Sequence, residues 1–185
     1  MFRLALVALA LTVVVLVGLS LLPQPERRVP GGTIELSGAQ VTLYPQADPK
    51  AIWHFAAERV DYEPEIGETT LYDIADAERK VGRETDFTLT SKKIIIDPQE
   101  NLRGDAIEVY VPDVQWTLDM QTQDGTPVVI DQAQGRFNAP QYEIVDKAGD
   151  NISNGQNMSI NFDLTDTRTG GAGTKNSDTF RDQTD

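Results

Sequence analysis

The chain has 185 residues, no cysteine and one histidine, and its 29 acidic residues against 16 basic ones give a formal net charge of −13. The negative charge argues against nucleic-acid binding, which needs clustered Lys and Arg side chains. The lack of cysteine excludes disulfides and thiolate metal sites, and one histidine excludes multi-histidine metal sites.

The N-terminal segment predicts a membrane anchor. Residues 4–22 carry no charge and are almost all apolar, and a helix of that length spans about 28 Å, close to the hydrocarbon core of a bilayer. Pro23 and Pro25 end it. We expect residues 1–25 to be an anchor with its N-terminus inside and the following domain outside. The alternative is a cleaved signal peptide that releases a soluble carrier, although no Ala-x-Ala site follows.

A β-domain is expected after a linker at residues 26–32 (ERRVPGG). From Thr33 onward, apolar and polar residues alternate with a period of two, in short runs rich in Ile, Val, Thr and Tyr. Turn signals such as Glu63-Pro64 and Asn154-Gly155 separate these runs. The sequence therefore predicts an all-β domain over residues 33–164. Residues 165–185 are rich in Thr, Gly, Asp and Asn, and are expected to be a disordered polar tail.

One pattern occurs three times, at residues 55–62, 89–96 and 137–144. Each copy reads large apolar, x, small, x, x, apolar, x, apolar, so the inward phase slips by one residue. The slip predicts a bend or bulge that keeps the apolar residues on one side of the strand. Coincidence among ordinary hairpins is the alternative. An extra hairpin is expected around Asp124-Gly125, from Val114–Asp119 and Thr126–Asp131.

Three motifs resemble the LptC family of membrane-anchored periplasmic proteins of lipopolysaccharide export. They are W-x-F-x-A-x-x-V-x-Y (Trp53 to Tyr62), L-x-S-x-x-I-x-I-D (Leu89 to Asp97) and N-L-x-G-D-x-I-x-V (Asn101 to Val109). With the N-terminal span, the resemblance covers about residues 4–164. It implies an OstA-like twisted β-jellyroll of stacked short antiparallel strands, whose apolar interior carries acyl chains.

The resemblance also implies a location and partners. The protein would cross the inner (cytoplasmic) membrane once, with its β-domain in the periplasm. An inner-membrane ABC exporter would bind at the anchored end, and an OstA-like bridge protein would bind at the far end by strand addition. The cargo would be lipopolysaccharide or a related envelope lipid, held by its acyl chains.

The candidate lipid-groove lining is the set of apolar residues on the inward phase: Phe55, Val60, Tyr62, Leu89, Ile94, Ile96, Ile107, Val109, Trp116, Leu118, Phe137, Tyr142, Ile144, Met158 and Ile160. The alternative is an ordinary closed core, which would make the protein a membrane-tethered envelope scaffold without lipid. The candidate edge strand for a partner carries Met158, Ile160, Phe162 and Leu164, and Thr33 to Tyr44 is the edge at the near end. The polar tail could instead cover the last strand.

No residue pattern supports catalysis. His54 lies between Trp53 and Phe55, so alternation places it on the solvated face. Asp73, Asp76 and Glu78 do not have the spacing of a calcium loop. The sequence has no glycine-rich phosphate loop and no nucleophile elbow, and we expect a protein that is not an enzyme, without a cofactor or a metal.

Overall fold

Residues 33–170 are described by the computed structural model, and in this range the chain forms strands and turns but no helix. The predicted all-β class is therefore confirmed for these residues. The strands are β1 (Ile34–Leu43), β2 (Ala51–Glu63), β3 (Glu68–Val81), β4 (Glu84–Ile96), β5 (Leu102–Gly104), β6 (Ala106–Val111), β7 (Trp116–Gln121), β8 (Val128–Asp131), β9 (Arg136–Val145) and β10 (Asn151–Asn161).

The strands form one antiparallel sheet in which neighbours in sequence are mostly neighbours in space. β1, β2, β3 and β4 pair in that order. β4 then pairs with β5 through Ile95 and Ile96 and with β6 through residues 88–90, so β5 and β6 act as one interrupted strand. β7 and β8 both pair with β9, and β9 pairs with β10. β1 and β10 are thus the two edges of the sheet.

The predicted hairpin around Asp124-Gly125 is wrong for most of its length. β7 pairs with β6 and β9, and β8 pairs with β5 and β9. Both hydrogen-bonding edges of β7 and β8 are therefore occupied, and the two strands follow one another instead of pairing. Only the tip is a hairpin, where Gln123 bridges Thr126. Asp124 and Gly125 have φ of +51° and +75°, as a tight hairpin turn requires.

The predicted phase slip is present in the sheet. In β2 the buried positions pass from Ala57 to Val60, and in β9 they pass from Ala139 and Pro140 to Tyr142. The register between β2 and β3 shifts at this point, and Asp73 of β3 has φ of +51°. Because bulges bend strands without ending them, the strands are longer than the expected short runs, and β3 has 14 residues.

The sheet folds over itself and encloses an apolar core. Phe87 of β4 packs against Phe137 of β9, although these two strands do not pair. Phe162, just after β10, contacts both rings. The inner face of β2, β3 and β4 therefore lies against the inner face of β9, and the buried residues between them form one continuous cluster.

The predicted anchor, the linker and the tail beyond residue 170 lie outside the described residues. Within residues 33–170 there is no helix long and apolar enough to cross a membrane. The predicted disordered tail is wrong for residues 165–170, because backbone hydrogen bonds join this segment to β10.

Candidate functional site

The predicted groove lining faces the interior, with one exception. Fourteen of the fifteen residues are at most 8% exposed, and they belong to the core cluster. They are Phe55, Val60, Leu89, Ile94, Ile96, Ile107, Val109, Trp116, Leu118, Phe137, Tyr142, Ile144, Met158 and Ile160. In this structure the inner face is filled by its own side chains.

Tyr62 is the exception, because its side chain is 39% exposed. Cross-strand pairing places it beside Ile34 and Thr69, and the row continues to Ile96, which is buried. Directly paired residues share a face of the sheet, so Tyr62 does lie on the inner face. Alternation determines which face of the sheet a residue occupies. The residue is buried only where an opposing layer covers that face, and no layer covers this end of β2.

An uncovered apolar strip runs along the start of β1 and includes Tyr62. Ile34 and Leu36 are 51% and 52% exposed. Leu36 pairs with Val60, which is 3% exposed, so Leu36 is on the inner face too. We call Ile34, Leu36 and Tyr62 the β1 strip. Its apolar surface continues directly into the buried interior.

Ile34 and Leu36 are not among the predicted lining residues. The signal was their alternation with Glu35 and Ser37, which are both exposed. That alternation was used to predict a strand, and it also predicts that Ile34 and Leu36 share a face. It could not show that this face remains open.

The opposite end of the inner face is closed by a buried arginine. Arg79 is 4% exposed and lies in the same cross-strand row as Trp53 and Phe87. Its guanidinium forms ion pairs with Asp48, at 2.5 Å, and with Asp86. It also lies over the Phe162 ring, 4.9 Å from the centroid. Burial raises the pKa of Asp86, and Arg79 partly opposes this shift. The ion pairs of Arg79 and its contact with the Phe162 ring thus close this end of the inner face.

The predicted partner edge is not a free strand edge. Met158 and Ile160 are buried in β10, while Phe162 and Leu164 lie beyond its end. The Ser159 amide donates to the Arg168 carbonyl at 2.7 Å, and the Arg168 amide donates to the Ser159 carbonyl at 2.8 Å. The chain itself therefore occupies this part of the edge, because it turns back after Asn161. The start of β10, residues 151–155, has β9 as its only strand partner in the described range.

β1 forms the other edge. Among the described residues it pairs with β2 alone, over the whole length from Ile34 to Leu43. One row of its backbone N–H and C=O groups therefore has no strand partner, as in any edge strand. The predicted near-end edge, Thr33 to Tyr44, agrees with this position.

Polar groups and one open groove mark the outer surface of the described residues. His54 is exposed and pairs across strands with Glu78. Between residues 33 and 170 no group of three His, Asp or Glu side chains is placed to hold a metal. An open groove of about 670 Å³ lies beside the bulge of β3 and the middle of β4. The single hydroxyl hydrogen of Ser91 in this groove is shared between the carbonyls of Ala106, at 2.7 Å, and Lys93, at 3.0 Å.

No protein-family model and no curated protein matches the chain.

Proposed function

We propose that the protein is a membrane-anchored, non-enzymatic lipid-bridge subunit with an OstA-like β-jellyroll. It would take lipopolysaccharide or a related envelope lipid from an inner-membrane ABC exporter and pass the acyl chains along its apolar inner face. The motifs from Trp53 to Val109 support the family assignment. The observation that carries the proposal is the β1 strip, an exposed apolar surface that continues into the interior.

The position of the strip suits entry of an acyl chain. β1 has hydrogen bonds to one neighbour only in the described range, so its displacement breaks a single ladder. An acyl chain that reaches Leu36 could then move toward Val60 and Leu71, which lie in the same cross-strand row. Each methylene buried in this way contributes about 0.8 kcal/mol with little demand on stereochemistry. Entry of an acyl chain must replace side-chain contacts in the filled core, so its net gain in free energy is small. Supply of lipid by an upstream pump would therefore drive the flow.

The charge of the chain favours recognition of acyl chains over head groups. Acidic residues lie close to the β1 strip, namely Glu35 within β1 and Glu63 and Glu68 at the adjoining ends of β2 and β3. The net charge of the whole chain is −13. Phosphorylated head groups are therefore repelled unless they remain in solvent or keep divalent cations.

Photocrosslinking in cells tests the proposal with a matched control. A photoreactive residue replaces Leu36 or Tyr62 in the full-length chain, and the control replaces Ser37, which neighbours Leu36 but lies on the outer face and is also exposed to solvent. We expect lipid adducts from Leu36 and Tyr62 and none from Ser37. Equal lipid labelling from all three positions, or labelling from none of them, would contradict the proposal.

The burial of fourteen lining residues favours a second candidate function. A core that stays closed fits a membrane-tethered envelope scaffold that carries no lipid. A photoreactive residue at Phe137, deep in the interior, separates the two functions. Lipid adducts at Phe137 require an acyl chain to enter the core, whereas a stable, folded protein without adducts at Phe137 or at the β1 strip favours the scaffold.

A further inference from the structure

Residues 165–170 cover one edge of the sheet, and we call this segment the edge cap. The chain turns back at Leu164, whose φ is +60°, and then runs antiparallel to β10. Ser159 and Arg168 exchange two backbone hydrogen bonds, at 2.7 and 2.8 Å. The amide of Gly170 donates to the Gln156 carbonyl at 3.2 Å. The cap therefore occupies the outer edge of β10 from residue 156 to residue 161.

Arg136 holds the cap in place. This side chain of β9 is 10% exposed, and its guanidinium pairs with the Asp166 carboxylate at 2.9 Å. It also donates to the backbone carbonyl of Asp166 at 2.7 Å and to the carbonyl of Ser159 at 2.9 Å. Its Nε donates to the Ser159 hydroxyl at 2.8 Å. One buried cation thus joins β9, β10 and the cap.

The composition of β10 explains why such a cover is useful. Edge strands commonly avoid pairing with other chains by carrying charged residues or proline. β10 has the sequence NISNGQNMSIN, without a charged residue or a proline. β1, the other edge, has the sequence IELSGAQVTL with one charge, on Glu35. β10 therefore lacks the usual side-chain protection and β1 has little of it, and within the described residues only residues 156–161 of β10 are covered.

We propose that the edge cap prevents β10 from pairing with β1 of a second copy of this chain. Such a pair would continue the inner face from Met158 and Ile160 of one copy to the exposed Leu36 and Ile34 of the other. The contact is heterologous, since it uses a different edge on each copy, and it can repeat from copy to copy. Release of the cap therefore converts a monomer into a chain of subunits. This behaviour does not depend on whether the protein carries lipid.

A cysteine crosslink measures this pairing directly, because the natural chain contains no cysteine. Two full-length chains are co-expressed, one with Gln40→Cys in β1 and one with Gln156→Cys in β10. Both positions are exposed, and a flexible bismaleimide joins them when the edges meet. The chain with Gln156→Cys also carries Arg168→Pro, which releases the cap because proline lacks the amide hydrogen that Arg168 donates to the Ser159 carbonyl.

Two controls separate cap release from other effects of the substitution. Thr169→Pro places proline in the same segment, at an amide that takes no part in the backbone hydrogen bonds between the cap and β10. Arg168→Ala keeps the amide and removes only the side chain, so it measures the part that the Arg168–Asp166 ion pair contributes. Hydrogen exchange of the Ser159 amide reports whether the cap has been released.

We expect Arg168→Pro to speed hydrogen exchange of the Ser159 amide. We also expect it to raise the crosslinked yield about fivefold or more, because a lost hydrogen bond worth about 1 kcal/mol changes the population of the open edge by about that factor. Thr169→Pro should keep the natural yield, and Arg168→Ala should raise it less than Arg168→Pro does. Faster exchange without more crosslinking would overturn the proposal, because the edge would then be open and still not pair. Unchanged exchange in Arg168→Pro would also overturn it, because the cap would then not depend on the Ser159–Arg168 pair.

Discussion

The ring of Phe87 packs edge-on against the ring of Phe137, with centroids 4.9 Å apart and an angle of 67° between their planes. The two residues belong to β4 and β9, which share no hydrogen bonds in the sheet. Their contact therefore shows that the two layers of the folded sheet pack directly against each other. Both rings are fully buried, and the interior that would carry an acyl chain is packed at this point.

Phe137→Ala is expected to destabilise the fold strongly. The substitution removes the contacts with Phe87 and Phe162 and leaves a cavity, which typically costs about 3–5 kcal/mol of unfolding free energy. Chemical denaturation of the full-length chain in detergent measures this. The control is Tyr110→Ala, which truncates an aromatic side chain that is 39% exposed. Equal costs for the two variants would mean that the two layers are not packed together in solution.

Leu36→Ser should leave stability unchanged and weaken lipid capture. Leu36 is 52% exposed, so the unfolding free energy should change by no more than about 0.5 kcal/mol. A lost leucine contact with an acyl chain is worth about 1.5–3 kcal/mol, a factor of ten or more in binding. Lipid photocrosslinking from Tyr62 in the Leu36→Ser chain checks this. Thr42→Ala, on the outer face of β1, is the control, and an undiminished lipid signal in Leu36→Ser would count against the β1 strip as an entry site.

Gly104→Ala should destabilise the protein through a clash with the backbone. A Cβ at this position would lie 2.9 Å from the carbonyl oxygen of Lys93 and 3.1 Å from Cγ1 of Ile107. Relief of such overpacking typically costs about 1–3 kcal/mol. The neighbouring exposed residue provides a control, Asp105→Ala, which should have little effect. Denaturation midpoints decide the question, and a Gly104→Ala chain as stable as the natural one would show that β4 and β5 separate readily here.

Acid should release the edge cap. The Arg168 guanidinium, and after it Arg136, hold the pKa of Asp166 below its ordinary value of 3.8. A carboxyl with a lowered pKa in the folded chain stabilises the fold fully above 3.8 and loses that contribution as the pH falls through the lowered value. We expect the protection of the Ser159 amide to stay constant from neutral pH down to about 4 and then to decrease.

Asp166→Asn provides the control for the acid release. It removes the charge at every pH, so Ser159 should be less protected at neutral pH and lose little more in acid. Core amides such as that of Ile130 report global unfolding. If protection of Ser159 and Ile130 falls together in the natural chain, the acid effect belongs to the whole fold and not to the cap.

Much of the inner face could be predicted from periodicity. Alternation placed fourteen of the fifteen selected side chains in the interior, because a strand turns successive residues to opposite faces. The repeated slip also predicted the change of inward phase in β2 and β9, although the bulge beside β2 lies in the neighbouring strand β3. These properties are local, and they depend on a few neighbouring residues in each strand.

The edges could not be predicted in the same way. Phe162 and Leu164 continue the alternation of Met158 and Ile160, so the pattern predicts a last strand that extends to residue 164. In the structure the chain turns at Leu164, and residues 165–170 pair with β10. This pairing depends on Arg136, which is 23 residues before Ser159 in the sequence, and a local pattern carries no information about such a partner.

The sequence alone determined that the chain forms strands, which residues of each strand share a face, and where the phase changes. These follow from the alternation of side chains along an extended backbone. Only the tertiary structure decided that β7 and β8 follow one another instead of pairing, that Tyr62 remains exposed, and that the cap covers β10. Each of these depends on which distant strand or layer reaches a given edge or face. Hydrogen bonds and burial across the fold set that outcome, and alternation within one strand does not encode it.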